Sequence, residues 1–460
     1  MTKTPSKNLA TDSTDSKPDG LSTDRRKMLK AMGAGSVAAA LAGCSALLGD
    51  DDDNGEVVNG DVPNDPVEVG FQITLEGPGF VLTEQQVAAM EIAVDRINDV
   101  GGIAGRQIEV ETLSEGEGAI ENHERFVEDD KDVIIGPATS GAVASVAPIA
   151  DDLGTLTIFP DGAAFTLFEE THPDPELVFR FQNPDITETV VAARSVVERL
   201  GADNINTVAN VSPDYEFGRT QWDGFLTALE GLVGDVDVIY EGWPDLFAED
   251  MSTHVTEVGN QSPDVLFTSM WGGDMSLFLR QGAETGMWDE VGLHATTIGY
   301  GGAPDFSRDE VEAAEPTLMV GRNYIYNYPP EQLAPGVHEF HEELQEWGVS
   351  AVYGYVMSTY GAITWYATAA ERAVRLLGRW PEDEELAEIM SNHGFATPSV
   401  FCATDPDYFN GRQAFSNLHT GELTWDEEHD HAGWMNVREW SPIGNHPPPG
   451  VSSREWLERW

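Results

Sequence analysis

The chain has little lysine and a large excess of acid. Six lysines occur in 460 residues, and only Lys131 lies beyond residue 30. Asp and Glu number 80 against 25 Lys and Arg, which gives a formal net charge of −55. Binding of nucleic acid needs clustered positive side chains, so this balance argues against nucleic acid as a partner. Such an acidic, lysine-poor surface is typical of proteins that function in molar salt, where the Debye length is about 3 Å and self-repulsion is screened.

Cysteines and long apolar runs are equally scarce. Cys44 and Cys402 are the only cysteines, so no disulfide framework is available. After residue 50 no stretch reaches 18 apolar residues, so we expect the membrane to hold this protein by its N-terminal end or not at all. The histidines are scattered, whereas a zinc site needs three or four converging ligands. We therefore expect neither a metal nor a cofactor.

The N-terminal segment has its features in the order found in export signals. Arg25 and Arg26 form a twin-arginine pair, as in one class of bacterial export signal. The apolar run at 28–48 is interrupted by polar residues and fits the apolar region of a signal peptide better than a membrane span. The alternative is a short buried helix with a free thiol.

The letters LAGC at 41–44 resemble the lipobox of exported lipoproteins. Small residues before the cysteine let a peptidase approach, and cleavage at this point leaves an N-terminal cysteine whose thiol receives lipid. We therefore predict a signal peptide over residues 1–43 and lipidation at Cys44. Residues 44–66 are rich in Asp, Asn, Gly and Val and are predicted to form an acidic flexible tether.

Beyond residue 66, short apolar runs alternate with amphipathic segments, which predicts an α/β fold with parallel sheets covered on both faces. Thr83 and Gln86 predict a capping box at the start of the first helix. Longer helices are predicted near 335–347 and 353–377, and the end, 398–460, is predicted to be irregular. The predicted strands are 68–73, 107–113, 132–135, 156–159, 206–211, 236–240 and 265–268.

Six stretches of the body share a pattern with one family of proteins. They are VGFQITLEGPG, AAMEIAVDRINDVGGIAGRQIEV, VIIGPATSGAVASVAPIADDLG, VFRFQNPD, PDYEFGRTQWDGF and PDVLFTSMWGGDMSLFLRQGAETGM. Over about residues 67–373 they resemble the leucine/isoleucine/valine-type solute-binding proteins of ABC importers, the branched-chain amino acid and amide family.

This resemblance implies a periplasmic binding protein type I fold. Two doubly wound parallel-sheet lobes are joined by three crossovers and close over a ligand in the cleft between them. The resemblance implies a first lobe of residues 67–184 with 320–392 and a second lobe of 185–319 with 393–460. The hinge is expected at the crossovers near 183–185 and 315–323.

Ligands of open parallel sheets bind at the carboxyl ends of the strands. Thr139 and Ser140 follow such an end and precede an amphipathic helix. Their hydroxyls and nearby amides are therefore candidates for binding a carboxylate or carbonyl oxygen at the positive end of the helix. Plain N-capping by Ser140 is the alternative, and both can hold at once.

Carrying over the ligand contacts of the family exposes departures. Asp161, Gly162 and Ala163 occupy the loop in which the family uses backbone amides and a threonine hydroxyl. The threonine position is Ala163, and Asp161 adds a negative charge. A glutamate for the ammonium of the ligand is expected after the TTIGYGG strand, where only Tyr300 and glycines stand. Asp161 therefore meets a cation from the other lobe, or the ligand is an amide or another small polar solute.

Aromatic residues gather at the strand ends of the second lobe. Phe217 stands at the position of the family's tyrosine, and Tyr215 lies two residues earlier. Trp271 precedes two glycines at a strand-to-helix turn. We predict that these residues and Tyr300 line the cleft, and packing in the core is the alternative.

Together these features predict a lipid-anchored, monomeric receptor on the outer face of the cytoplasmic membrane. It captures a small-molecule solute, such as a branched-chain amino acid, another amino acid or an amide, and delivers it to the membrane subunits of an ABC permease. The alternative is a ligand-sensing domain for a signalling partner. An enzyme is not expected, because the sequence has neither a Gly-x-Ser-x-Gly elbow nor a metal triad.

Overall fold

The computed structural model describes residues 61–459, apart from residues 78, 117, 299–302, 304, 323–336, 350–355, 393–394, 397–400, 405–408, 428–429 and 443. The predicted signal peptide with Arg25 and Arg26, the lipidation site Cys44, most of the tether and Tyr300 lie outside the described residues.

A five-stranded parallel sheet forms the centre of the first lobe, in the order β2-β1-β3-β4-β5. β3 is a fully buried Val-Ile-Ile run, as expected for a parallel strand that is covered on both faces. The strands of this sheet are β1 (Val67–Ile73), β2 (Ile108–Ser114), β3 (Val133–Ile135), β4 (Thr157–Phe159) and β5 (Val178–Arg180).

A seven-stranded sheet forms the centre of the second lobe, in the order β15-β14-β10-β9-β8-β6-β7. Strands β6 to β10 are parallel, whereas β14 and β15 are antiparallel to their neighbours. The strands are β6 (Thr207–Val211), β7 (Asp237–Gly242), β8 (Val265–Thr268), β9 (Leu293–Thr296), β10 (Thr317–Arg322), β14 (Leu418–Asp426) and β15 (His431–Trp440). A separate antiparallel sheet contains β11 (Phe395–Ala396), β12 (Phe401–Thr404) and β13 (Ala414–Phe415).

The helices cover these sheets. In the first lobe α1 packs against α9 and α10, and in the second lobe α4 packs against α5. The helices are α1 (Phe80–Asp99), α2 (Ala119–Glu128), α3 (Ser140–Leu153), α4 (Ile186–Leu200), α5 (Glu216–Val233), α6 (Ser252–Gln261), α7 (Gly273–Thr285), α8 (Arg308–Ala314), α9 (Val337–Trp347), α10 (Val356–Leu377), α11 (Asp383–Ser391) and α12 (Ser453–Leu457). In the described part of the chain no helix has both the length and the apolar character that a membrane crossing requires.

Two predicted details of secondary structure are wrong. The first helix begins at Phe80, and Gly79 before it already has helical dihedral angles, φ −73° and ψ −20°. Thr83 therefore lies inside the helix, and its hydroxyl donates to the carbonyl of Thr74 instead of closing a capping box. The end of the chain is also not irregular in its described part, because β14 and β15 form a hairpin that extends the second sheet.

The described chain passes between the lobes at residues 181–185, which join β5 to α4, and at 416–417, which join β13 to β14. Gln413 forms an isolated bridge with Arg180, so the later segment runs beside the end of β5. The predicted lobe boundary at residue 320 falls inside β10, a strand that pairs along its length within the second sheet. The other lobe boundaries remain predictions.

Candidate functional site

A cavity of about 410 Å³, including the part that is open to solvent, lies where strand ends of the two lobes face each other. Both lobes contribute side chains to it, so any molecule inside touches both. The residues that line it are Thr74, Leu82, Thr83, Gln86, Glu115, Ala138, Thr139, Ser140, Asp161, Tyr215, Phe217, Trp271 and Ile298.

Glu115 is the central polar group of the first-lobe wall. It follows β2 directly and is 2% exposed. Its Oε1 accepts a hydrogen bond from the Thr74 hydroxyl at 2.6 Å, and its Oε2 accepts from the backbone N–H groups of Ala138 and Thr139 at 2.7 and 3.3 Å. Burial raises the pKa of Glu115, and these hydrogen bonds oppose that rise.

Thr139 and Ser140 lie on the cavity wall at the start of α3. Thr139 is the N-cap residue, with extended dihedral angles of −73° and 138°, and no side chain caps the helix. Ser140 is already the first helical residue, so the alternative in which it caps α3 is wrong. The backbone N–H group and the side chain of Thr139 both interact with Glu115. The Ser140 hydroxyl is therefore the side-chain group at the start of α3 that a ligand reaches without breaking a contact of Glu115.

Asp161 meets a cation from the other lobe, one of the two alternatives that the sequence left open. Arg322, the last residue of β10, donates from Nη1 to Asp161 Oδ1 at 2.8 Å. The side chain of Asp161 is 13% exposed and lies on the cavity wall, whereas the side chain of Arg322 is fully buried behind it. Burial raises the pKa of Asp161, and the guanidinium of Arg322 opposes the rise.

The two loop residues after Asp161 do not line the cavity. The carbonyl of Gly162 accepts from Arg180 Nη1 at 2.9 Å, and the carbonyl of Ala163 accepts from the backbone N–H group of Asp185 at 2.7 Å. These contacts place the loop against the residues where the chain crosses between lobes. Gly162 has a φ of +78°, and a Cβ there would lie 2.4 Å from Val143, so the position requires glycine.

A buried charge network continues from Arg322 into the second lobe. Arg322 Nε lies 2.7 Å from Glu188 Oε1, and Nη2 donates to Glu188 Oε2 at 2.8 Å, with both side chains fully buried. Asp185, one turn earlier, accepts from the backbone N–H group of Phe165 at 2.8 Å and from the Thr220 hydroxyl at 2.5 Å. Burial raises the pKa of Asp185 to about 7. The network links one crossover between the lobes to the cavity wall.

Three aromatic residues form the second-lobe wall. Trp271 donates from Nε1 to the Tyr215 hydroxyl at 3.0 Å, and the ring centroids of Tyr215 and Phe217 are 6.0 Å apart. Burial raises the pKa of Tyr215, and the charges of Asp161 and Asp274 add to the rise, so the phenol stays protonated. The indole N–H group is thus satisfied within the wall.

The loop before α6 supports this wall. Phe247 packs edge-on against Trp271 at 5.0 Å between centroids. The backbone N–H group of Phe247 donates to Asp274 Oδ2 at 2.9 Å. Asp274 lies in the first turn of α7 and is 1% exposed. Burial raises its pKa to about 7, against the opposing hydrogen bonds from the backbone of Phe247 and Ala248.

First-lobe residues seal the cavity against this aromatic wall. Leu82 of α1 belongs to the apolar cluster that holds Phe217 and Trp271. A Cβ on Gly79 would lie 3.0 Å from Phe247 Cζ and 3.2 Å from Trp271 Cζ3, so the backbone at the start of α1 nearly touches the second lobe. The structure is therefore that of a closed cleft.

Six of the predicted site residues lie together on the cavity wall. They are Thr139, Ser140, Asp161, Tyr215, Phe217 and Trp271. Thr74, Gln86 and Glu115 were missed, although Thr74 and Glu115 each follow a strand directly, the same signal that identified Thr139. Among the described residues, His, Cys, Asp and Glu form no group of three that could hold a metal ion.

A family model described as "Periplasmic binding protein" matches residues 66–432. The Leu/Ile/Val-binding protein of Escherichia coli K12 is 23% identical over 387 residues, which cover 82% of this chain and 92% of the relative. The leucine-, isoleucine-, valine-, threonine-, and alanine-binding protein of Pseudomonas aeruginosa is 22% identical over 341 residues, which cover 73% and 84%.

Solved structures share the fold. A solute-binding protein of an ABC transporter from Rhodopseudomonas palustris, in complex with 3,4-dihydroxybenzoic acid, superposes with a TM-score of 0.70 at 16% identity and covers 83% of this chain and 98% of its own. A leucine-binding protein from Thermotoga maritima gives a TM-score of 0.64 at 18% identity, with 82% and 99% covered.

Proposed function

The chain belongs to the periplasmic binding protein family, and on that premise we propose that it captures a small polar solute between its lobes and delivers it to an ABC permease. The fold is that of type I periplasmic binding proteins, and the chain is an extracytoplasmic solute-binding protein of a transporter, not an enzyme. The proposed solute class is that of amino acids and amides, which the names of the Leu/Ile/Val-binding relatives support.

The observation that carries the proposal is the shared cavity. Its first-lobe wall offers the hydroxyls of Thr139 and Ser140 with the carboxylates of Glu115 and Asp161, and its second-lobe wall offers aromatic rings. A solute in this position bridges the lobes, so its binding stabilises the closed form over the open one.

We further propose how the receptor is placed. Export by the twin-arginine route, cleavage before Cys44 and lipidation of its thiol would tether a monomer to the outer face of the cytoplasmic membrane. The charge of −55 with a single lysine beyond residue 30 supports operation in molar salt, where the Debye length is about 3 Å. The alternative of a sensing domain for a signalling partner is not favoured, because the named relatives are binding proteins of the transport type.

Small-angle scattering combined with a binding screen tests the proposal. The purified protein in molar salt is screened by thermal shift against amino acids, amides, urea, amines and small carboxylates. A compound that raises the melting temperature should also lower the radius of gyration, because it draws the lobes together. An unchanged radius at saturation with a confirmed ligand would contradict capture by closure.

A further inference from the structure

The cavity wall is unusually one-sided in charge. Its described residues include two carboxylates, Glu115 and Asp161, and no lysine, arginine or histidine. An anion that entered this cavity would therefore meet like charge and find no cationic side chain on the wall.

Two of the backbone donors that could receive a carboxylate are already engaged. The backbone N–H groups of Ala138 and Thr139 both donate to Glu115 Oε2. Glu115 thus occupies, from within the protein, the place at the strand end where the sequence predicted an oxygen of the ligand. A second carboxylate could bind there only by displacing Glu115 into a buried position without partners, which is costly.

Glu115 itself lacks a counter-ion among the described residues. Thr74, Ala138 and Thr139 supply neutral donors, and no ion pair to a basic side chain is formed. Asp161 shares Arg322 with Glu188, so two carboxylates are paired with one buried guanidinium. Burial raises the pKa of Glu115, Asp161 and Glu188, and Arg322 opposes the rise for Asp161 and Glu188 but not for Glu115.

The opposite wall suits a cation. Tyr215, Phe217 and Trp271 lie across the cavity from these acids. Aromatic rings attract cations through their quadrupole, and the attraction grows when water is excluded. Trp271 is 4% exposed, so little of its ring is in contact with bulk water.

We propose that the solute held between Glu115 and the wall of Tyr215 and Trp271 carries a cationic nitrogen and no carboxylate. An ammonium or amidinium group would donate to Glu115 Oε1 and to Asp161, while its apolar part would pack on the aromatic rings. This inference rests on the proposed function, capture of a solute between the lobes, and it replaces the amino acids and amides proposed above with amines and amidines as the solute class.

Matched compounds of equal size test it directly. Benzylamine, benzamide and benzoate share one ring and differ mainly in charge, as do isoamylamine and 4-methylpentanoate, and leucine adds the zwitterion. Titration calorimetry in molar salt should show the amines binding at least about tenfold more tightly than the amides, with no measurable binding of the carboxylates. Molar salt suppresses non-specific attraction by the acidic surface.

Variants locate the effect. Glu115→Gln keeps the size of the side chain and should weaken binding of the amines about ten- to a hundredfold, the range for a hydrogen bond to a charged group. Binding of benzamide should change less than about threefold. Glu84→Gln removes the same charge from an exposed position on α1 and should leave both affinities unchanged. An equal loss in Glu84→Gln would assign the effect to the general field of the protein and overturn the proposal.

The outcomes separate this inference from the proposed function. Tight binding of leucine or benzoate with a smaller radius of gyration would overturn the cationic assignment and leave solute capture intact. Failure of every compound in the set to bind would count against both. Because the comparison among compounds uses the unmodified protein, it stands even if Glu115→Gln fails to fold.

Discussion

Arg322 donates to Asp161 at 2.8 Å and thereby joins the end of a second-lobe strand to a first-lobe loop on the cavity wall. The same guanidinium is paired with Glu188, which is fully buried on α4. One cation therefore holds two acids from opposite sides of the cleft. Removing it would leave both carboxylates in a low-dielectric setting without compensation.

The first prediction follows from this pair. Arg322→Met should lower the free energy of unfolding by about 3–5 kcal/mol, the usual cost of breaking a buried ion pair by removing one partner. Urea unfolding in molar salt measures it. Arg308→Met is the control, because Arg308 pairs with Glu312 on the surface and should cost no more than about 1 kcal/mol. Similar losses of unfolding free energy in both variants would show that burial does not make the Arg322 ion pairs more important for stability than a surface pair.

A second prediction concerns Gly361 on α10. A Cβ at this position would lie 1.9 Å from Cζ of Phe181, a residue in the crossover between the lobes. Gly361→Ala should therefore destabilise the fold by about 1–3 kcal/mol or more through overpacking. In Gly259→Ala the new Cβ would be 3.7 Å from its nearest neighbour, so this helical substitution should be neutral or stabilise by up to about 1 kcal/mol. Equal midpoints for the two variants in urea would refute the steric argument.

The third prediction is a dependence on pH. The pKa of Asp274 is about 7 in the folded protein because of burial, against about 4 in an unfolded chain. The folded state thus keeps a proton that the unfolded state has lost, and stability falls as pH rises from about 4 to about 7. Asp274→Asn should reduce this pH-dependent loss of unfolding free energy by at most about 4 kcal/mol, at 1.36 kcal/mol per pKa unit. Urea unfolding at pH 4 and pH 8 gives the change in unfolding free energy with pH for the wild type and for the variant. Equal changes in the two proteins would exclude Asp274 as the source.

A fourth prediction concerns salt. Lowering the salt concentration from the molar range to about 0.1 M lengthens the Debye length from about 3 Å to about 10 Å. With a net charge of −55, the acidic surface should then repel itself and the melting temperature should fall. A melting temperature that stays flat across this range, followed by circular dichroism, would argue against adaptation to high salt.

The fifth prediction concerns the anchor. Cys44→Ser removes the thiol that the proposed lipidation requires, so the protein should move from the membrane fraction into the medium. Cys402→Ser removes the other cysteine of the chain and should leave the protein on the membrane. Immunoblots of both fractions decide the matter. A Cys44→Ser protein that remains with the membrane would rule out the lipobox interpretation.

Sequence patterns predicted the fold where apolar runs are strong. The run at 265–268 is fully buried in β8 and begins and ends as predicted. Strand β5, Val178–Arg180, was missed because its apolar run is only two residues long and ends in a charged side chain. The hairpin of β14 and β15 was missed because a register shift between Thr420 and Glu422 and a positive φ at Asn436 interrupt the alternation of period two.

The site could be predicted in part for a similar reason. Strand ends are visible in the sequence, and they led to Thr139 and Asp161. Sequence alone does not show which acceptor will bind a free backbone N–H group. The hydrogen bond from the Ala138 N–H group to Glu115 could therefore not be predicted. The partner of Asp161 is also a tertiary fact, since Arg322 lies 161 residues further along the chain.

Leu82 belongs to a first-lobe helix but packs in the apolar cluster of the second lobe. Separation of the lobes would bring this side chain and the rim of Trp271 into water, and hydration of apolar surface raises the heat capacity. Capture should then show a negative heat-capacity change larger than a small solute accounts for by itself. Hydrophobic contacts weaken on cooling. The fraction of ligand-free molecules with separated lobes should therefore depend on temperature and rise on cooling.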